Sequence, residues 1–286
     1  MAATRLSEQQ MAFFETFGYL HFPGLMADCI DRIIEEFEAV WVAHGGELDG
    51  PHDGADRSII IPFADQSEYL SALLDDPRIH DIAACICGED FNYWGGDGNL
   101  YVGDTFWHSD GYSADRILTI KMALYLDRLS HDTGVLRVIP GSHHVGDVFG
   151  EAVQQGVLQG RSVTAEAPQI NWGVDGQDVP AVALENVPGD VVVFNENLKH
   201  SSFGGTSRRR MFVLSFSRRY PEDQHDALMG AIHGCMRVHA EAQLGEHVHG
   251  KAMVRTAGPE RMVHLEQIRA NEIEVVEWIR EREKAG

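Results

Sequence analysis

Residues Thr105–Tyr112 read TFWHSDGY. A histidine and an aspartate stand two residues apart, between aromatics and next to a glycine. In an extended strand, residues i and i+2 share a face. His108 and Asp110 then aim an imidazole nitrogen and a carboxylate oxygen at one spot, while Ser109 faces away. The same residues would also suit a polar turn between two strands, and the spacing alone does not decide between the two.

The surroundings favour the strand. From about residue 91 to 217 short β-rich runs alternate with Gly, Asp and Pro: LTIKMALYL (118–126), GVLRVIPG (134–141), DVVVFNE (190–196) and MFVLSFS (211–217). Such spacing predicts a sandwich or barrel. Helical periods lie on either side. Met11, Phe13, Phe14 and Phe17 mark a helix over 7–17 with Ser7 as N-cap, ended by Gly18. YLHFPGL then reads as a short strand and a turn. Residues 27–44 and 66–87 read as helices, with a polar loop over 46–56. After about 220 the chain is helical again, and Leu265, Ile268, Ile273, Val276 and Ile279 suggest one apolar face over 262–283. The expectation is a mainly β fold with flanking helices, one domain over 1–286, its β-core spanning about 91–217.

The 286 residues are 44% hydrophobic, and 23 Lys+Arg against 44 Asp+Glu give a formal charge of −21. That balance argues against a nucleic-acid backbone or an anionic membrane as partner. No apolar run resembles a signal peptide or approaches the ~20 residues that span a bilayer. Cys29, Cys85, Cys87 and Cys235 form no zinc pattern and read as reduced. The setting expected is the cytoplasm.

His108 and Asp110 need a distant third ligand. His200 follows the turn Pro188–Asp190 and the strand Val191–Phe194, so it sits at the far end of a hairpin. Two histidines and one carboxylate on one face of a metal leave the other positions open, as in non-haem iron(II) oxygenases. Arg208, Arg209 and Arg210 follow, and a guanidinium near the metal can hold the far carboxylate of a dicarboxylate bidentately.

The ordered set WHSD, Gly134–His143, the Pro188–Asp190 turn, His200 and the arginine resembles the phytanoyl-CoA dioxygenase family over roughly residues 8–220. The resemblance implies a double-stranded β-helix, the jelly-roll or cupin-like core, and a dependence on Fe(II), 2-oxoglutarate and O2. It makes His108, Asp110 and His200 the iron ligands and the catalytic centre. It places the 2-oxoglutarate anchor at Arg209, with Arg210 the alternative, and it adds Ser202, Asn99 and Lys121 as cosubstrate contacts. Lys121 departs from the aromatic residue often found there. Asp110 stands where related halogenases carry a small residue, so hydroxylation is expected. In that chemistry 2-oxoglutarate is oxidised to succinate and CO2 as a substrate C–H bond becomes an alcohol.

His131, His143 and His144 read as loop histidines, solvated or bonded to backbone. Tyr93 and Trp94 suit a cavity wall or a core cap equally, one of Trp107 and Tyr112 should face the pocket, and Arg57 reads as a surface ion pair. The expected partner is a small polar metabolite, of amino-acid, compatible-solute, phosphonate or natural-product type. A homodimer contact is one use for the C-terminal helix. Two rival functions remain: a non-catalytic jelly-roll that binds or senses a metabolite, and a metal-dependent isomerase or hydrolase on a cupin-like barrel. The latter would not need Arg209.

Overall fold

The computed structural model describes residues 5–48, 58–100, 103–157, 167–205, 209–241 and 247–285. Arg57, Arg208 and most of the 46–56 loop lie outside these. The first helix, α1 (Glu8–Phe17), starts where the sequence places it. Gln10 N–H donates to the Ser7 hydroxyl at 3.2 Å, and Ser7 N–H donates to the Gln10 side chain at 2.9 Å, a reciprocal cap. Gly18 closes the helix at φ 83°, in the left-handed region. Strand β1 (Tyr19–Phe22) and helix α2 (Ile30–Ala43) follow, and α2 buries Ile33, Phe37, Val40 and Trp41.

Strand β2 (Ile59–Ile60) precedes the segment expected to be one helix. That segment is broken into α3 (Glu68–Ser71), a 3-10 turn over Ala72–Asp75, and α4 (Pro77–Cys87). Pro77 is the cause. A residue before proline is driven to extended backbone, and Asp76 adopts φ −71° and ψ 123°. Its carboxylate then accepts from Arg78 N–H at 2.9 Å and restarts the helix.

The remaining strands are β3 (Asn92–Tyr93), β4 (Gly98–Asn99), β5 (Thr105–His108), β6 (Thr119–Tyr125), β7 (Arg137–Val138), β8 (Val182–Ala183), β9 (Val191–Asn195), β10 (His200–Ser202) and β11 (Met211–Ser217). Within this β region two helices intervene, α5 (Val148–Val157) and α6 (Ala167–Trp172). The strands form two antiparallel sheets. One runs β1-β9-β6-β11-β4-β2 with β3 also on β11, and the other runs β5-β10-β7-β8. This is the jelly-roll core expected, with helices outside it.

The large sheet is covered on both faces. Ile120, Met122 and Leu124 of β6, with Phe212, Leu214 and Phe216 of β11, join a cluster with α2 and α4. The alternate residues Ala123, Tyr125, Val192, Phe194, Met211 and Val213 pack against Val135 and Val138 on the other side. By the strand period of two, Lys121 and Arg209 fall on that inner side.

The Pro188–Asp190 turn locks the chain's early segment to this sheet. Asp190 accepts from Gly24 N–H at 2.7 Å and Val187 N–H at 2.9 Å. Gly189 has φ 99°, and a Cβ there would come within 2.9 Å of Ala27 Cα.

The C-terminal helices are α7 (His225–Glu241), α8 (Lys251–Arg255) and α9 (Pro259–Ala285). The face expected on α9 is corrected. Leu265, Ile268 and Val275 are buried, but Ile273 is 83% exposed. Polar residues complete the buried stripe because each finds a partner: Arg261 on Asp75, His264 stacked on Phe91, and Glu272 accepting from Val248 N–H. Val276 and Ile279 have no described side chains. Among the described residues no helix is long and apolar enough to cross a membrane.

Candidate metal and cosubstrate site

Strands β5 and β10 pair antiparallel with His108 opposite His200. Two residues far apart in sequence thereby become cross-strand neighbours, their ring centroids 4.2 Å apart. Each ring is turned by the same device. His108 Nδ1 lies 2.8 Å from Phe106 O, and His200 Nδ1 lies 2.8 Å from Leu198 O. A backbone carbonyl accepts only, so Nδ1 carries the proton and Nε2 presents its lone pair. Asp110 follows β5, its backbone N–H bonded to Glu196 O at 3.0 Å. Its carboxylate stands 3.9 Å from His108 Nε2 and 3.6 Å from His200 Nε2. The three ligand atoms lie within 4.8 Å of one another, an arrangement able to hold a metal ion.

The charges around this point are ordered. Burial, then the neighbouring His108, push the His200 imidazole down to about 3, so it is neutral at physiological pH. Burial alone would raise the Asp110 carboxyl, but Lys121, His200 and His108 together hold it well below the usual carboxylate range. Lys121 Nζ lies 2.9 Å from Asp110 Oδ2. Burial opposes its charge, but Asp110, Glu196 and Asp97 hold the ammonium protonated. A neutral His200 imidazole and an ionised Asp110 carboxylate are protonation states a divalent cation requires of its ligands.

These side chains line a cavity of about 110 Å³ between the sheets, shared with Ser202, Arg209, Tyr125 and Met211. Arg209 is buried and donates from Nη1 to Ser202 Oγ at 2.7 Å and to Gly134 O. Arg210 points elsewhere, bound to Asp127 and Glu38. The strand alternation that separates the two arginines is therefore realised. Lys121 lines the cavity through its pair with Asp110. Asn99 is buried behind the wall, donating to the carboxylate of Asp97, which does line it.

A second chamber of about 460 Å³ opens from the same point and shares Asp97, Asp110 and Lys121 with the first. Its far wall is α7, and Trp94, Tyr220, Arg116 and Glu196 complete much of it. Arg116 donates to Glu196 Oε2 at 2.6 Å and to Asp110 O at 3.1 Å. Glu196, Arg116 and α7 were not anticipated from the sequence. Glu196 closes the run DVVVFNE shortly before His200, a position whose direction depends on the turn that follows it.

The aromatic expectations divide. Trp94 faces the chamber, while Tyr93 is fully buried with its hydroxyl on Asp65 at 2.8 Å. Neither Trp107 nor Tyr112 is in the wall of either cavity. Trp107 is buried with its N–H on Gly176 O, and Tyr112 bonds Glu151. His143 and His144 bond the backbone oxygens of Glu15 and Thr16, and exposed His131 lies by Glu185, as loop histidines should. The four cysteines are free, and Cys87 is buried.

A family model for phytanoyl-CoA dioxygenases matches residues 14–212. The chain belongs to that family. Among curated relatives, an ectoine dioxygenase of Sphingopyxis alaskensis is 25% identical over 224 residues, covering 70% of this chain and 71% of its own. An L-proline trans-4-hydroxylase of Streptomyces griseoviridis is 26% identical over 149 residues, 48% of either chain. Among solved structures, the non-heme alpha-ketoglutarate-dependent carbocyclase SnoK from nogalamycin biosynthesis shares the fold. Its TM-score is 0.58 at 20% identity, and the match covers 79% of this chain and 92% of that one. The proteins this chain is similar to thus carry the names of a dioxygenase, a hydroxylase and, for the shared fold, a carbocyclase.

Proposed function

We propose that this chain is an iron(II)- and 2-oxoglutarate-dependent dioxygenase that hydroxylates a C–H bond of a small polar metabolite. His108, Asp110 and His200 are the iron ligands in this reading. The observation that carries it is the convergence of two Nε2 lone pairs and one ionised carboxylate, each fixed by its own backbone bonds. That donor set suits ferrous iron and leaves positions open for a chelating oxoacid and dioxygen. Bound iron supplies the oxidising chemistry, with 2-oxoglutarate as the electron source.

The chain's own residues do the positioning. Arg209 offers its guanidinium to the distal carboxylate of 2-oxoglutarate, with Ser202 sharing that anchor. Lys121 engages Oδ2 of Asp110 and keeps the carboxylate turned toward the histidines. Retention of Asp110 supports hydroxylation, because the carboxylate occupies the place a halide would need. The free cysteines suit a reducing cytoplasmic setting. The two curated relatives, named for ectoine and L-proline, support a small free substrate.

The test is spectroscopic and chemical. Under argon, Fe(II) plus 2-oxoglutarate should give a weak visible charge-transfer band that His108→Ala lacks. In air, a screen of amino acids, compatible solutes, phosphonates and natural-product scaffolds should find one that stimulates succinate release. No band and no succinate from wild type would remove the basis of the reading. A metabolite sensor would instead be stabilised by ligand without consuming oxygen.

A further inference from the structure

The chamber beneath α7 has a composition that selects its occupant. We propose that it is the substrate site, and that it takes a compact amine, primary or cyclic, with or without a carboxylate. The inference rests on the iron and 2-oxoglutarate reading above and specifies the substrate of that same centre.

Position comes first. The chamber meets the inner cavity at Asp97, Asp110 and Lys121, so its occupant sits beside the metal ligands while the cosubstrate lies toward Arg209. Its volume, about 460 Å³, suits a single small ring or short chain and not an acyl-coenzyme A. The wall on the α7 side carries Ala231, Gly234 and Cys235 beside Val238 and His239. A Cβ built on Gly234 would meet no atom within 4 Å, so the space in front of that helix turn is open.

Charge comes second. The Arg and Lys side chains in the wall are already engaged by carboxylates, Arg116 with Glu196 at 2.6 Å and Lys121 with Asp110 at 2.9 Å. A phosphate or a simple carboxylic acid would have to break one of these pairs to be recognised. Asp97 adds a carboxylate to the wall beyond these two pairs, and burial disfavours the charge of the other basic side chain there, His239. Glu196 is only 7% exposed and is held at the wall by Arg116. Trp94 and Tyr220 stand edge to face, centroids 6.2 Å apart, and both line the chamber. Electron-rich rings beside carboxylates recognise an ammonium group and its apolar skeleton together. An amino acid fits the same site through its ammonium end.

Three six-membered-ring probes separate charge from shape: piperidine, a cation; piperidine-2-carboxylate, a zwitterion; and cyclohexanecarboxylate, an anion. Each is titrated into the anaerobic protein loaded with Fe(II) and 2-oxoglutarate, and read from its perturbation of the charge-transfer band and from thermal stabilisation. The two amines should bind at least about tenfold more tightly than the anion. Asp97→Asn should shrink that preference. Gly234→Leu, which favours the helix and fills only open space, should weaken amine binding about tenfold or more while the band without probe stays in place. Equal or tighter binding of the anion would overturn the inference. So would failure of every probe up to tens of millimolar, or unchanged amine binding in Gly234→Leu. If the band is missing before any probe is added, the iron reading itself has failed, and the thermal shift still decides whether the chamber prefers amines.

Discussion

At the scale of single residues the site depends on which atom each side chain has left to offer. His108 and His200 spend Nδ1 on carbonyls two residues upstream, so the ring nitrogen facing the cavity is fixed by backbone they carry with them. Arg209 and Arg210 are neighbours with opposite destinations, one in the cavity and one held by Asp127 and Glu38. This separation makes a sharp prediction. Arg209→Met should weaken 2-oxoglutarate binding by roughly two orders of magnitude, the worth of a charge-assisted bidentate pair. Iron affinity, read without cosubstrate, should stay within about threefold, because no ligand atom is touched. Arg210→Met should leave 2-oxoglutarate affinity in place and reduce stability instead. Titrating the charge-transfer band gives the first quantity, and urea unfolding gives the second. Equal losses of 2-oxoglutarate affinity in both variants would mean that the alternation does not choose the anchor.

At the scale of elements, what was legible in the sequence is what period and punctuation encode. Ser7 and Gly18 bracket α1, and the runs 118–126, 190–196 and 211–217 all appear as strands. The candidate triad was legible because His108 and Asp110 stand two residues apart and His200 opens the strand that pairs with β5, although β5 ends at His108 and Asp110 lies in the bend beyond it rather than on the strand. The division of 66–87 was missed although Pro77 signalled it, and the buried stripe of α9 was misread because Arg261, His264 and Glu272 are buried only by virtue of distant partners. The chamber wall was illegible for the same reason: α7 reaches it by tertiary packing, which leaves no mark in local spacing. The Asp190 clasp is an element-scale feature that can be measured. Asp190→Ala removes the acceptor from Gly24 and Val187 N–H, and at 6% exposure Asp190 gives water little access to replace it. A loss of about 3 kcal/mol is expected, seen as a lower urea midpoint with an unchanged slope. Asp190→Asn keeps one acceptor and should lose about half as much. No change in midpoint would show that β1 and β9 need no such fastening.

At the scale of the whole molecule, the fold's buried titratable groups set how it responds to acid. Burial is the first cause at each of the following. His143 and His249 are pushed down to about 4, and His239 and His264 are lowered as well. Asp65 is pushed up to about 6, even though it accepts from Tyr93 and from Gly250 N–H. The two kinds of group act oppositely. A buried histidine with a depressed folded value costs nothing above pH 6.5. Below that the unfolded chain takes up the proton first, so stability falls as pH drops toward 4. Asp65, with a raised folded value, holds its proton in the native state while the unfolded chain has lost it, so its contribution improves as pH falls from 6 toward 3.8. Native stability should therefore decline between pH 6.5 and 4.5, with the histidines outweighing the aspartate. His249→Gln keeps a donor for Tyr93 O, which His249 Nε2 approaches at 2.8 Å. It should flatten that decline by about 1.4 kcal/mol per pH unit, the worth of one proton. Asp65→Asn should steepen it by a similar amount below pH 6, since the offsetting proton is gone while Tyr93 and Gly250 can still be satisfied. Urea unfolding at half-unit steps across this window measures both slopes. If the two substitutions move the slope in the same direction, burial is not what governs these groups, and the acid response originates elsewhere in the fold.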